Sequence, residues 1–265
     1  MMNRIDETFI RLREKGETAL IPYLMVGYPD LETTGKLVLG FEKAGADIIE
    51  LGVPFSDPIA DGPIIQLASE QALKNGVSLT DVLSLVSNLR QHTTIPLVLM
   101  TYYNPIFVYG VERFVRDAAA ARVDGVIVPD LPPEEASLLE KAACETGLSC
   151  IFLLAPTSPP ERMRLISQHS TGFIYYVSVT GITGIREMVC EGISEYIRQL
   201  RLVTQQPVGV GFGISNPEHV AQISSIADAA IVGSAIVSLI TNHLNEYNLV
   251  EKTSQFIAEL KKATY

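Results

Sequence analysis

Eight short apolar runs, each followed by a helical pattern, set the strongest limit on how this chain can fold. They lie at residues 19–25, 46–51, 96–102, 125–129, 149–154, 172–177, 207–211 and 229–232. Each is rich in β-branched or aromatic residues and bounded by Gly, Pro or Asp, so each reads as a strand. The runs are continuous rather than alternating, as expected when both faces of a parallel strand are covered. Amphipathic stretches at 33–44, 111–121, 133–145 and 160–169 separate them, several opened by first-turn signals such as Pro132-Pro133-Glu134 and Ser215-Asn216-Pro217-Glu218. Eight strand–helix units without a break in composition predict an α/β fold: a single (β/α)8 TIM barrel over residues 1–265, with extra helices. A doubly wound open sheet is the alternative. The connection from Gly52 to Ile95 is long and carries two helical patterns, 64–74 and 79–91. A connection of that length in a compact domain points to function.

Charge narrows the partners. With 20 Lys+Arg against 30 Asp+Glu the chain carries −10 at pH 7, which argues against nucleic acid and against anionic membrane, both of which are bound through an excess of cations. Cys144, Cys150 and Cys190 form an odd set without a CxxC spacing, so neither a disulfide framework nor a zinc knuckle is indicated. The N-terminal stretch alternates charges along a helical pattern and has no apolar core of a signal peptide. These features together predict a cytoplasmic location.

In a barrel, chemistry is built at the C-terminal ends of the strands. All eight lysines fall in helical patterns or at their ends, which disfavours an imine-forming aldolase. His92 and His169 precede strands, and His219 and His243 lie in helical patterns, so neither a histidine base nor a metal site is expected there. Carboxylates remain. Glu50 closes the second run, on the same face as Ile48 by strand alternation. If that face is the barrel interior, burial raises its pKa toward the working pH, as proton transfer requires. A charge at a strand end is more often a solvated loop-entry residue, and Asp57 and Asp61 beside Pro and Gly can equally be turn residues. Asp130 fits a capping role. Glycines cluster at three successive strand ends: Thr180-Gly181-Ile182-Thr183-Gly184, Gly211-Phe212-Gly213 and Gly233-Ser234-Ala235. Glycine lets backbone N–H groups approach an anion, and loops after the seventh and eighth strands are where barrels hold phosphate.

The stretch Glu50-Leu51-Gly52-Val53-Pro54-Phe55-Ser56-Asp57-Pro58-Ile59-Ala60-Asp61-Gly62-Pro63 resembles the signature of the tryptophan synthase α subunit family, the indole-3-glycerol-phosphate lyases. The likeness continues in order through 22–29, Tyr102-Tyr103-Asn104-Pro105, 128–132, 154–157, 175–184, 211–215 and 233–237. It implies a carbon–carbon lyase of tryptophan biosynthesis that cleaves indole-3-glycerol phosphate to indole and glyceraldehyde 3-phosphate. Indole would pass to a β subunit in an α–β–β–α heterotetramer. No cofactor is expected on this chain, pyridoxal phosphate being expected on the β subunit. By the same resemblance, Glu50 and Asp61 match catalytic positions. Tyr23, Met100, Tyr102, Ile127, Leu153, Tyr175, Thr183 and Phe212 match the substrate pocket. Gly184, Gly213, Gly233 and Ser234 match phosphate loops, and Pro54, Asp57 and Pro58 fall in the loop facing the partner. Two other readings share the site: a free-standing lyase without a partner, and a non-catalytic subunit that activates one. Retention of both carboxylates speaks against the second.

Overall fold

The computed structural model describes residues 3–178, 187–211 and 213–265, and side chains throughout these except at 187–191. Its strands are β1 Ala19–Met25, β2 Ile49–Gly52, β3 Leu97–Met100, β4 Gly125–Ile127, β5 Ser149–Ile151, β6 Leu153–Leu154, β7 Ile174–Val177, β8 Val208–Gly211 and β9 Ala229–Val232. Every pairing is parallel, in the order β5-β4-β3-β2-β1-β9-β8-β7-β6. The two ends of that order, β5 and β6, are separated by Phe152 alone, so the sheet comes round on itself. Its nine strands are the eight predicted runs, the fifth divided between its two neighbours. The barrel is the architecture, and the open sheet is not.

The helices are α1 Arg4–Lys15, α2 Leu31–Lys43, α3 Pro63–Lys74, α4 Leu79–Leu89, α5 Tyr103–Tyr109, α6 Val111–Ala120, α7 Ser137–Thr146, α8 Pro160–His169, α9 Glu187–Leu200, α10 Pro217–Ser224, α11 Ser234–Asn242 and α12 Leu249–Lys262. Two differ from expectation. The stretch at 133–145 opens with a 3₁₀ turn, Pro133–Glu135, and only then becomes α7. The helix α5 is absent from the pattern; Asp130, from the loop after β4, accepts the N–H of its first residue Tyr103 at 2.8 Å. Among the described residues no helix is long and apolar enough to cross a membrane.

Two apolar cores flank the sheet. The larger lies between the strands and the outer helices. The smaller fills the barrel with Ala19, Ile21, Ile48, Val98, Ile127, Ile151, Phe173, Tyr175, Ala229 and Ile231. One face of α1, Ile5, Phe9 and Leu12, joins this inner core, and the Phe9 and Phe173 rings lie 5.9 Å apart. The helix therefore plugs the N-terminal end of the inner core, and the C-terminal end is left without such a plug among the described residues.

A polar bracket recurs at the plugged end. Asp47, Asp124, Thr171 and Asp228 each stand just before a strand and accept a backbone N–H from the neighbouring strand: Leu20 at 2.9 Å, Leu97 at 2.8 Å, Cys150 at 2.8 Å and Val208 at 2.7 Å. Asp124, 3 % exposed, also takes Arg4 and Arg90, both at 2.7 Å. These bonds satisfy strand-end donors that have no ladder partner.

Candidate active site

At the open end, strand register aligns the inward residues. Tyr23 is opposite Glu50, Glu50 opposite Val98, and Met100 opposite Ile127. Ile48, two residues before Glu50, belongs to the inner core, so alternation turns Glu50 into the barrel. Glu50 is 1 % exposed, and neither carboxyl oxygen has a hydrogen-bond partner among the described residues. An unpaired buried carboxylate is costly, so the group retains its proton. Burial first, and the nearby negative charge of Asp61 second, push its pKa up to about 8.

Asp61 reaches the same space from the loop after β2. Its backbone N–H bonds the Pro58 carbonyl at 3.1 Å, and Gln66 Nε2 donates to its own carbonyl at 2.8 Å. The side chain accepts the Tyr102 hydroxyl at 3.0 Å, and that same hydroxyl accepts the Ala60 N–H at 3.0 Å. Burial raises the Asp61 pKa to about 6 against the lowering effect of the Tyr102 bond. The Phe55 ring lies 5.1 Å from that of Tyr102, and Ser69 Oγ both accepts the Phe55 N–H at 2.9 Å and donates to its carbonyl at 3.0 Å. Tyr102 and Ser69 thus hold the loop that presents Asp61. Because the Tyr102 bond favours the ionised form, Tyr102→Phe should raise the Asp61 pKa further above about 6. A carboxyl-carbon NMR titration reads this directly, and an unmoved Asp61 would show that the bond does not hold it.

Of the pocket residues expected from sequence, Tyr23, Ile127 and Tyr175 are buried, and Met100 and Leu153 are half-buried at the rim of the inner core. The structure gives Tyr102 a further task, that of bracing Asp61. Tyr23 and Tyr175 stay protonated: burial, then both carboxylates, raise their phenols well above the usual value. Their rings need room that glycine supplies. A Cβ on Gly52 would sit 2.0 Å from the Tyr23 hydroxyl oxygen, and one on Gly211 would sit 2.4 Å from that of Tyr175. Gly211 is therefore a packing notch, although its neighbours suggested an anion loop. Nothing in a Gly-rich run separates these uses, whereas Ser69 could have been noticed as a small polar residue on the buried stripe Ile65, Ala68, Ser69, Ala72 of α3.

Across the mouth, Gly213 has φ +77°, the left-handed region that favours glycine, and is exposed after β8. Gly233 and Ser234 join β9 to α11, whose N-terminus has no side-chain cap. Its first N–H groups lack intrahelical partners and carry the positive end of the helix dipole. Gly184, Thr183 and Phe212 lie outside the described residues. In the loop after β2, Pro54 is buried, Pro58 half-buried and Asp57 exposed, with the Ser56 hydroxyl 2.5 Å from its carboxylate. Asp57 thus stays at the surface, while Asp61 is drawn inward. Among the described residues, no group of three or more His, Cys, Asp or Glu side chains could hold a metal ion.

Known proteins resemble this chain along nearly its whole length. Residues 9–265 match the family "Tryptophan synthase alpha chain". The tryptophan synthase alpha chain of Geotalea uraniireducens is 51% identical over 260 residues, covering 98% of this chain and 97% of the relative. That of Synechocystis sp. is 49% identical over 263 residues, covering 99% of each. The crystal structure of tryptophan synthase subunit alpha from Legionella pneumophila superposes with a TM-score of 0.93 at 38% identity, covering 100% of this chain and 99% of that one. A Mycobacterium tuberculosis tryptophan synthase structure gives 0.91 at 39%, again over 100% and 99%. With its barrel fold and nearly its full length matched, the chain belongs to the tryptophan synthase alpha chain family.

Proposed function

We propose that this chain performs the family's lyase reaction, the retro-aldol cleavage of indole-3-glycerol phosphate to indole and glyceraldehyde 3-phosphate, with Glu50 and Asp61 as its catalytic pair. The observation that carries the assignment is the buried Glu50 carboxyl group, unpaired among the described residues and raised to about 8 beside Asp61. Breaking the bond between the indole ring and the glycerol chain requires a proton at indole C3 and removal of a proton from the glycerol hydroxyl. A carboxyl group that is protonated at neutral pH can give the first proton and, once ionised, accept the second. Protonation of the ring puts positive charge on the indole nitrogen. An ionised Asp61 accepting that N–H stabilises the charge as it develops.

The remaining assignments follow from placement at the mouth. Tyr23, Met100, Ile127, Leu153 and Tyr175 supply apolar and aromatic walls suited to an indole ring. Gly213, Gly233 and Ser234 offer backbone donors to the phosphate; Gly184 as a further phosphate residue, and Thr183 and Phe212 as pocket residues, are assigned from the family resemblance alone. A β subunit is proposed as the partner, holding the pyridoxal phosphate that consumes indole, and this chain itself is assigned no cofactor. The loop carrying Pro54, Asp57 and Pro58 faces that partner. Large apolar side chains stand exposed on the elements following β2 and β3: Ile59 at 82%, Leu67 at 66%, Phe107 at 65% and Val108 at 77%. An exposed apolar group of this size beside a catalytic mouth suits a protein partner.

The pair sets its own pH window. Asp61 must be ionised, above about 6, and Glu50 protonated, below about 8. The rate of indole release against pH should therefore be bell-shaped with its maximum near neutrality, the two limbs belonging to the pair. Asp61→Asn should remove the acid limb and lower the rate by about 10²–10³-fold. A rate near that of the wild type would leave Asp61 a turn residue only.

A further inference from the structure

The loop after β8 is tied to α10 by a side chain that the reaction does not use. His219 stands in the first turn of α10, where Asn216 is the N-cap and accepts the His219 backbone N–H at 2.8 Å through Oδ1. With Oδ1 so engaged, the Asn216 Nδ2 is the atom facing His219 Nε2, at 3.3 Å. An amide nitrogen only donates, so Nε2 is the accepting nitrogen and the ring proton lies on Nδ1. Nδ1 lies 3.2 Å from the carbonyl oxygen of Gly213. The Ser215 N–H, which could donate only to an unprotonated Nδ1, is farther off at 3.4 Å, as is the Ser215 hydroxyl. The two shorter contacts, to Asn216 and Gly213, therefore set the tautomer. The ring therefore donates to the Gly213 carbonyl.

That bond fixes a peptide plane. The Gly213 carbonyl and the Ile214 N–H belong to one planar trans unit and point in opposite directions. Holding the carbonyl toward α10 turns the Ile214 N–H away from it, and this N–H has no acceptor among the described residues. Gly213 has no side chain to hold the turn, and its φ of +77° lies in the left-handed region.

We propose that His219 is a positioning residue for phosphate recognition: through Gly213 it holds the Ile214 N–H as a donor to the substrate's phosphate. This rests on the reading of the Gly213 loop as part of the phosphate cradle. His219 touches no reacting atom, so it acts on substrate affinity and not on the chemical step. The test compares the full chain with its His219→Phe, His219→Asn and Gly213→Ala variants, measuring KM for indole-3-glycerol phosphate, kcat, and competitive inhibition by inorganic phosphate. His219→Phe keeps a ring and loses the donor. It should raise KM and the phosphate inhibition constant about threefold to tenfold, the loss of one hydrogen bond, with kcat within about twofold. His219→Asn restores an N–H donor near the Nδ1 position and should recover most of the affinity. Gly213→Ala, strained at positive φ, should weaken both constants. If Gly213→Ala weakens phosphate while His219→Phe does not, the role of His219 is overturned and the cradle stands. If neither changes phosphate inhibition, the cradle itself is misplaced. If His219→Phe and His219→Asn lower kcat and raise KM alike, His219 is a structural cap and not a positioning group.

Discussion

Replacing Glu50 by Gln is expected to lower indole release by at least about 10²–10⁴-fold, the usual contribution of a general acid–base group, while the barrel stays folded. Gln has the shape of the protonated carboxyl group and no proton to transfer. The same variant should be more stable than the wild type at alkaline pH. The Glu50 pKa is about 8 in the folded chain, raised from 4.5. Between these values the folded state keeps a proton that the unfolded state has released. The stability associated with the protonated group is thus fully present below 4.5 and is lost as pH rises through 8. Gln does not titrate, so thermal melts of the two proteins should agree near pH 5 and diverge in favour of Glu50→Gln near about pH 9. Normal turnover, or a stability difference independent of pH, would remove Glu50 from the role given to it.

The second large effect lies at the opposite end of the barrel. Asp124→Ala should cost about 3–5 kcal/mol of stability, the range for removing one partner of a buried ion pair. Arg90, whose side chain is 3% exposed, would lose its Asp124 contact, and burial already lowers its pKa to about 10. The Leu97 N–H and Arg4 would lose an acceptor as well. The Arg90 bonds to the Ile95 and Arg122 carbonyls remain and limit the loss. Urea unfolding measures the change; less than about 1 kcal/mol would place the bracket among ordinary surface pairs. Because this end is separated from the mouth by the inner core, the folded fraction should keep its substrate affinity.

How much of this was legible in the sequence depended on whether the information was local. The strands were legible because both faces are buried and the runs are unbroken. The inward turn of Glu50 followed from Ile48 by alternation. By contrast, α5 was not legible: its residues Tyr103-Asn104-Pro105-Ile106-Phe107-Val108-Tyr109 carry a proline and no local cap, and the cap comes from Asp130 on the next loop. The helix α2 starts at Leu31, two residues before the pattern becomes visible at Thr33, because its N-cap Asp30 bonds the Thr33 N–H. The bracing role of Tyr102 is invisible in the sequence because its hydroxyl bond to Asp61 exists only after the loop folds over it. The glycines were ambiguous for a related reason: Gly52 and Gly211 make room for tyrosine rings in other strands, whereas Gly213 bends the chain where it stands. Nothing in the sequence signals the tie of His219 to Gly213, six residues back.

The central claim, that this barrel mouth cleaves indole-3-glycerol phosphate, is tested most directly by following indole release from that substrate with the purified chain, alone and after addition of a tryptophan synthase β subunit. The account predicts indole and glyceraldehyde 3-phosphate in equal amounts, with a large gain in rate when the β subunit is added. Release without any gain or complex would leave a free-standing lyase. No indole from the chain under either condition would contradict the account.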